Sequence, residues 1–263
     1  MRIGISFSGG GARGFAHIGV IKALEEAGIA PTVVAGTSAG SIVGAMYAAG
    51  LTSADMEKVI RDSNFLKLVT IGLPNGGLGK LTYIRERLAE VIPEDSFNVL
   101  QKKLFVCMTN LNTGSVEFRS EGTLFDPVIA SSSIPFVFQP VEMDGSLYVD
   151  GGLLCNMPVS ALIHDADIII GVNLIPKTWT DKKELSSTVA VTYRSFELAI
   201  VANTAQEAKL CHVVIEPKKI GEYSIFQFNK FEEMMNVGYE ATKAKLPEIQ
   251  EALDKFKQLQ PTL

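Results

Sequence analysis

Apolar positions along the chain fall into short unbroken runs and longer helical spacings that take turns. Residues 3–8 (IGISFS) and 167–172 (DIIIGV) are too short for helices and rich in Ile and Val, so they predict buried strands. Between them Phe15, Ile18, Ile21 and Leu24 recur at helical spacing, and Gly28 marks the helix end. Residues 32–35 (TVVA) predict a second strand, and 41–49, rich in Ala, Met and Val, a buried helix. Further helices are expected over 53–62, 80–91, 124–131, 185–208 and 230–258. Strands are expected over 104–110, 116–119, 146–149 and 213–215, with a turn at Gly145-Ser146. Strands alternating with helices predict an α/β three-layer sandwich with a largely parallel central sheet. With no repeat, low-complexity tract or linker, the chain reads as one domain over 1–263.

Composition narrows the function classes. Apolar residues make up 47% and charged residues 20% of 263, the mix of a folded domain. The formal net charge is −5 and no Lys/Arg run stands out, which argues against a nucleic-acid partner and leaves docking on a membrane through a local patch open. Cys107, Cys155 and Cys211 are odd in number and far apart, so neither a disulfide framework nor zinc spacing is expected. The start of the sequence lacks a secretory pattern, and no run of about 18 apolar residues exists. These features lead us to expect a cytoplasmic protein, at most peripheral at a membrane. No HExxH or EF-hand loop appears, and no metal or cofactor is expected.

Two glycine turns carry the candidate chemistry. Each follows a predicted strand and opens a predicted helix, so both should lie at the same edge of the sheet, where ligands of such folds bind. Gly36-Thr37-Ser38-Ala39-Gly40 is a GxSxG turn, which lifts a Ser hydroxyl into a site and aims the free N–H groups of the following helix toward it. The plain alternative is a tight turn whose Ser caps the helix. Gly9-Gly10-Gly11-Ala12-Arg13-Gly14 also satisfies GxGxxG. A dinucleotide site would want an acidic residue about 20 positions on, at the end of the second strand, where Gly36-Thr37-Ser38 stands instead. No GK[ST] closes the cluster, which excludes a Walker loop. The remaining functional reading is an oxyanion hole built from exposed backbone N–H groups, with Arg13 adding positive potential or lying on the surface.

Asp150-Gly151-Gly152 follows a short strand and holds the only ionisable side chain of that turn, although Asp-Gly is also a common plain turn. A Ser-His-Asp triad is the rival arrangement, because Ser38, Asp150 and either His164 or His212 stand in the order such triads use. His17 falls in the first helix and is expected to pack near the glycine loop.

The three motifs, in this order, resemble the patatin-like phospholipase family, its small bacterial members in particular. That family carries a GGGx[RK]G loop, a GxSxG turn and a DGG or DGA turn. Asn156 and Pro158 also look like its DGGxxxNxP extension. The resemblance covers residues 3 to about 175, and the remainder carries no recognisable motif. It implies a Ser–Asp dyad without a catalytic His: Ser38 attacks an ester carbonyl, Asp150 takes its proton, and the 9–14 loop stabilises the oxyanion. The implied substrates are phospholipids, lysophospholipids and neutral acyl esters, with transient membrane-surface contact compatible with that chemistry. An acyltransferase on the same dyad and a catalytically idle regulatory protein are the rival functions. Residues 65–73 and 134–138 are apolar and stand as candidates for a flap and an acyl-pocket wall, or for ordinary core. Oligomeric state is open, because the tail from about residue 230 could pack on its own domain or on a second chain.

Overall fold

The computed structural model describes residues 1–63 and 81–259. The strands are β1 (Ile3–Phe7), β2 (Val33–Thr37), β3 (Lys103–Asn110), β4 (Ser115–Arg119), β5 (Val141–Met143), β6 (Ser146–Asp150), β7 (Ile168–Val172) and β8 (Val213–Ile215). The helices are α1 (Phe15–Glu26), α2 (Ala39–Ala48), α3 (Ser53–Arg61), α4 (Thr82–Val91), α5 (Phe125–Ser131), α6 (Thr188–Glu207) and α7 (Phe231–Leu259). Strands β3, β2, β1, β7 and β8 pair in parallel, in that order, while β4, β5 and β6 join antiparallel. The expected largely parallel sheet is present.

Alternate residues of each strand feed two different cores, as a period of two requires. Ile5, Phe7, Val34, Leu104, Val106, Ile168 and Ile170 pack on one face, together with α1, α2 and α7. Val33, Ala35 and Ile169 pack on the other, against Met157, Val159 and Leu162. That division makes three layers.

The helical tail packs on its own domain. Helix α7 lies along α1 at a separation only glycine allows: a Cβ on Gly19 would strike the Met235 carbonyl, and one on Gly238 the Ala16 carbonyl. Met234 and Met235 are buried in the same contact.

Strand β3 is the branch point that positions the site. Strand β2 runs parallel to it as far as Thr37 opposite Cys107. Strand β6 runs antiparallel to it and ends with Asp150 opposite Met108. A strand has two edges, and β4 fills one of them along 106–110. Strands β2 and β6 therefore follow one another along the other edge, and their carboxyl ends meet at adjacent β3 residues. Ser38 leaves the end of β2 and Asp150 is the end of β6, so the ladder itself brings 38 and 150 together across a sequence gap no loop spans.

Candidate active site

Ser38 sits in a backbone conformation that L-residues avoid, with φ of 53° and ψ of −127°, between the end of β2 and the start of α2. Close packing holds it there. A Cβ on Gly36 would strike the Gly40 carbonyl, and one on Gly40 would strike the Phe7 and Ser8 carbonyls of the neighbouring strand end. The Ser38 N–H donates to Ser131 Oγ at 2.9 Å, and that hydroxyl donates to the Cys107 carbonyl at 2.6 Å. Thr37 is buried, with Oγ1 donating to the Cys155 carbonyl at 3.0 Å. Ala39 packs against Gly14 and lines the cavity described below.

The Asp150 carboxylate accepts the Gly152 N–H on Oδ1 at 2.7 Å, and the Ser38 side chain lies near enough to pull its pKa down as a hydrogen-bonding group. Ser38 is 5% and Asp150 3% exposed, so this contact is almost dry. The Asp150 backbone is pinned by its N–H to the Ser133 carbonyl (2.9 Å) and by Thr109 Oγ1 on its own carbonyl (3.1 Å). Gly151 packs directly on the Cys107 carbonyl. Burial pushes the Asp150 carboxyl up to about 7, and the hydrogen bonds from Ser38 and Gly152 pull back only part of that shift. An ordinary Asp at about 3.9 would be a poor proton acceptor at neutral pH. At about 7 it is matched to general-base work there.

The 9–14 loop does not leave all of its N–H groups free. Gly9 N–H donates to the Asn156 carbonyl, Ala12 N–H to the Ile225 carbonyl and Arg13 N–H to the Gly10 carbonyl. Those docking contacts and the tight helical turn over Gly11–Gly14 use them up. Among the described residues, the Gly10 and Gly11 N–H groups find no partner. Both glycines border a small cleft together with Ser38 and Asp150. Arg13 neither lies on the surface nor reaches the site. It is buried, and Nε donates to the Tyr223 carbonyl (2.8 Å), with Nη1 and Nη2 near the Leu174 and Gly221 carbonyls (both 3.4 Å). It ties the loop to residues 221–223, and burial lowers its pKa, with Tyr193 and Glu197 pulling in the other direction.

None of the three histidines touches Ser38 or Asp150. His17 is fully buried, with Nε2 against the Ser8 carbonyl at 2.8 Å and its ring on Phe7; burial lowers it to about 4. It packs beside the glycine loop, as expected. His212 is exposed and accepts the Ile169 N–H on Nδ1, while His164 is exposed. The triad geometry is absent.

A cavity of about 570 Å³ opens from Ser38, within the range of small-molecule sites. Ile42, Met46, Leu88, Val137 and Phe138 are among its walls. Residues 134–138 all line it, so the pocket-wall reading of that segment holds. The flap considered at 65–73 lies outside the described residues. Helix α6 closes the dyad end with Tyr193, Phe196 and Ile200. Sequence reasoning missed these three, because they sit in the stretch without motifs and match only a generic helical pattern. It also missed Ser131, whose one visible signal is its place in a run of three serines. Among the described residues no group of three His, Cys, Asp or Glu side chains is arranged to hold a metal, and no helix is long and apolar enough to cross a membrane.

The patatin-like phospholipase family profile matches residues 5–163. An uncharacterised NTE family protein of Mycobacterium tuberculosis is 32% identical over 176 residues, 66% of this chain and 49% of the relative. Lysophospholipase nte1 of Aspergillus fumigatus is 28% identical over 304 aligned positions, 99% of this chain and 20% of the relative. The chain thus spans half or less of the length of these curated relatives. Among solved structures, VipD from Legionella pneumophila superposes with a TM-score of 0.48 at 15% identity, over 89% of this chain and 66% of that one. With the family profile covering more than half of its length, the chain belongs to the patatin-like phospholipase family.

Proposed function

We propose that this protein is a serine hydrolase of lipid acyl esters that works through a Ser38–Asp150 dyad. The observation that carries the reading is a buried Ser38 beside a buried Asp150 whose carboxyl is raised to about 7, on the wall of an apolar cavity. Membership of the family supports the substrate class, and a relative named lysophospholipase supports it further.

The chemistry follows from the groups present. An acyl chain lies in the apolar cavity with its ester carbonyl beside Ser38. Asp150 accepts the hydroxyl proton as Ser38 Oγ bonds to the carbonyl carbon, and the π pair moves to oxygen. The Gly10 and Gly11 N–H groups point their dipoles at that oxyanion, which is where preorganised donors contribute most. When the intermediate collapses, the carbonyl re-forms, the ester C–O bond breaks, and the leaving alkoxide takes the proton from Asp150. Water then repeats the sequence against the acyl-enzyme, with Asp150 again as base, to release the fatty acid and free Ser38.

Incubating the protein with a lysophospholipid and quantifying products tests this. We expect free fatty acid in equal amount to the deacylated headgroup product. Acyl product accumulating on an added glycerol or lysolipid acceptor, with little free acid, would favour transferase chemistry. No turnover of any ester would overturn the enzymatic reading.

A further inference from the structure

We propose that the Asn156 side chain is a further catalytic residue, donating an N–H from Nδ2 to the substrate carbonyl oxygen as it becomes the oxyanion. The proposal deepens the hydrolase reading above and rests on it. Asn156 is 1% exposed, and its Nδ2 has no hydrogen-bond partner among the described residues. Buried donors are costly to leave unpaired, so one at the edge of a reaction site calls for an acceptor that arrives with the ligand. Among the described residues the other buried side-chain atoms without partners, Ser6 Oγ, His17 Nδ1 and Arg87 Nε, belong to residues that do not border the cleft at Ser38 and Asp150.

The location fits one oxygen atom. Asn156 borders the cleft together with Gly9, Gly10, Gly11, Ser38 and Asp150, and the free volume there is about 20 Å³. That is room for about one water-sized group. The carboxamide reaches both turns: a Cβ on Gly9 would lie 2.5 Å from Asn156 Oδ1 and 3.1 Å from Ser38 Cβ, and one on Gly152 would lie 3.1 Å from Asn156 Oδ1. The cleft is therefore bordered by Gly10 and Gly11, whose N–H groups find no partner among the described residues, and by the residue that carries the unpaired buried donor.

The backbone of Asn156 is held independently of its side chain. Its carbonyl accepts the Gly9 N–H at 3.1 Å, and its N–H donates to Asn203 Oδ1 at 2.9 Å. Asn203 Nδ2 in turn donates to the Gly152 carbonyl at 2.9 Å. The residue is thus fixed to the glycine loop on one side and to the acid turn on the other, so the backbone that carries the side chain is in place before substrate arrives. In the step itself Nδ2 keeps its protons. It hydrogen-bonds the oxygen that gains the electron pair, while the Ser38 proton goes to Asp150.

The test measures kcat and KM on a short acyl ester for wild type, Asn156→Ala and Asn156→Leu. It also measures the inhibition constant of an alkyl trifluoromethyl ketone, which adds to the serine and forms an oxyanion. Removing one oxyanion donor should lower kcat by about 100-fold or more with KM within about threefold. The inhibition constant should rise in step with the loss in kcat/KM, because the ketone mimics the transition state. A loss that came only from disturbed packing would not track the ketone. Leu matches Asn in shape without a donor, so it serves if the Ala protein does not fold. A folded variant with kcat within about threefold of wild type, or with a kcat loss and unchanged ketone binding, would overturn the proposal. A wild-type protein that neither hydrolyses esters nor binds the ketone would sink the hydrolase reading itself, and this proposal with it.

Discussion

The first two strand–turn–helix units of the chain share one design and divide the work. β1 and β2 are neighbours in parallel register, and each ends in a glycine-rich turn that starts a helix at the same edge of the sheet. The β2 turn presents a side chain: its positive φ at Ser38 lifts a hydroxyl out of the ladder, and its glycines let two layers close tightly beneath it. The β1 turn presents backbone, because the Gly10 and Gly11 N–H groups find no partner among the described residues while their neighbours bind elsewhere. In the mechanism proposed above, one turn supplies the nucleophile and the other the field that stabilises its product. The difference shows that a glycine turn is read by what its N–H groups are bonded to, not by its pattern alone.

The comparison breaks most sharply at the side chain. Ser38→Ala should lower ester hydrolysis by about 10⁴-fold or more in a folded protein, and Asp150→Asn by about 10³-fold or more, since removing one member of a catalytic unit costs nearly as much as removing all. Gly40→Ala comes next. Its Cβ would push on the Phe7 and Ser8 carbonyls, so we expect a stability loss of about 1–3 kcal/mol in thermal unfolding. Activity should fall by about 100-fold as Ser38 shifts. Arg13→Ala sharpens the other side of the comparison. It strips the buried Leu174 carbonyl and the part-buried Tyr223 and Gly221 carbonyls of their donor and should cost about 2–4 kcal/mol, with a smaller activity loss through the loop. Arg13→Lys should restore little of that, because one ammonium cannot reach the same fork of acceptors. The smallest effect is expected from His164→Ala and His212→Ala, within about twofold of wild-type turnover, because both side chains are exposed and away from the dyad. A loss comparable to that of Ser38→Ala would restore the triad reading.

Much of this was legible in the residues. The β-branched runs at 3–8 and 167–172 became central strands, and the three glycine-bearing motifs converge at one edge of the sheet. What the residues did not reveal depends on contacts between distant segments. Nothing near Asp150 in sequence says that β6 continues the edge of β3 where β2 stops; the register of three strands decides that. Arg13 stands beside the glycines as if it served the site, yet carbonyls more than 160 residues away claim its guanidinium. Tyr193, Phe196 and Ile200 close the cleft from a helix whose pattern gives no hint of it, since a pocket wall needs only apolar bulk.

The central claim is that Ser38 is activated by a buried Asp150 that changes charge near neutral pH. The direct measurement is the rate at which a fluorophosphonate probe modifies Ser38 across pH, with the adduct located by peptide mass spectrometry. Only the ionised Asp150 can take the Ser38 proton, so labelling should rise with pH through an inflection near the raised value of about 7, and Asp150→Asn should flatten the curve. His17, lowered to about 4, cannot produce that inflection. A Ser38 adduct with a midpoint near 7 that depends on Asp150 is the predicted result. No adduct, an adduct elsewhere, or a profile unchanged by Asp150→Asn would contradict the account.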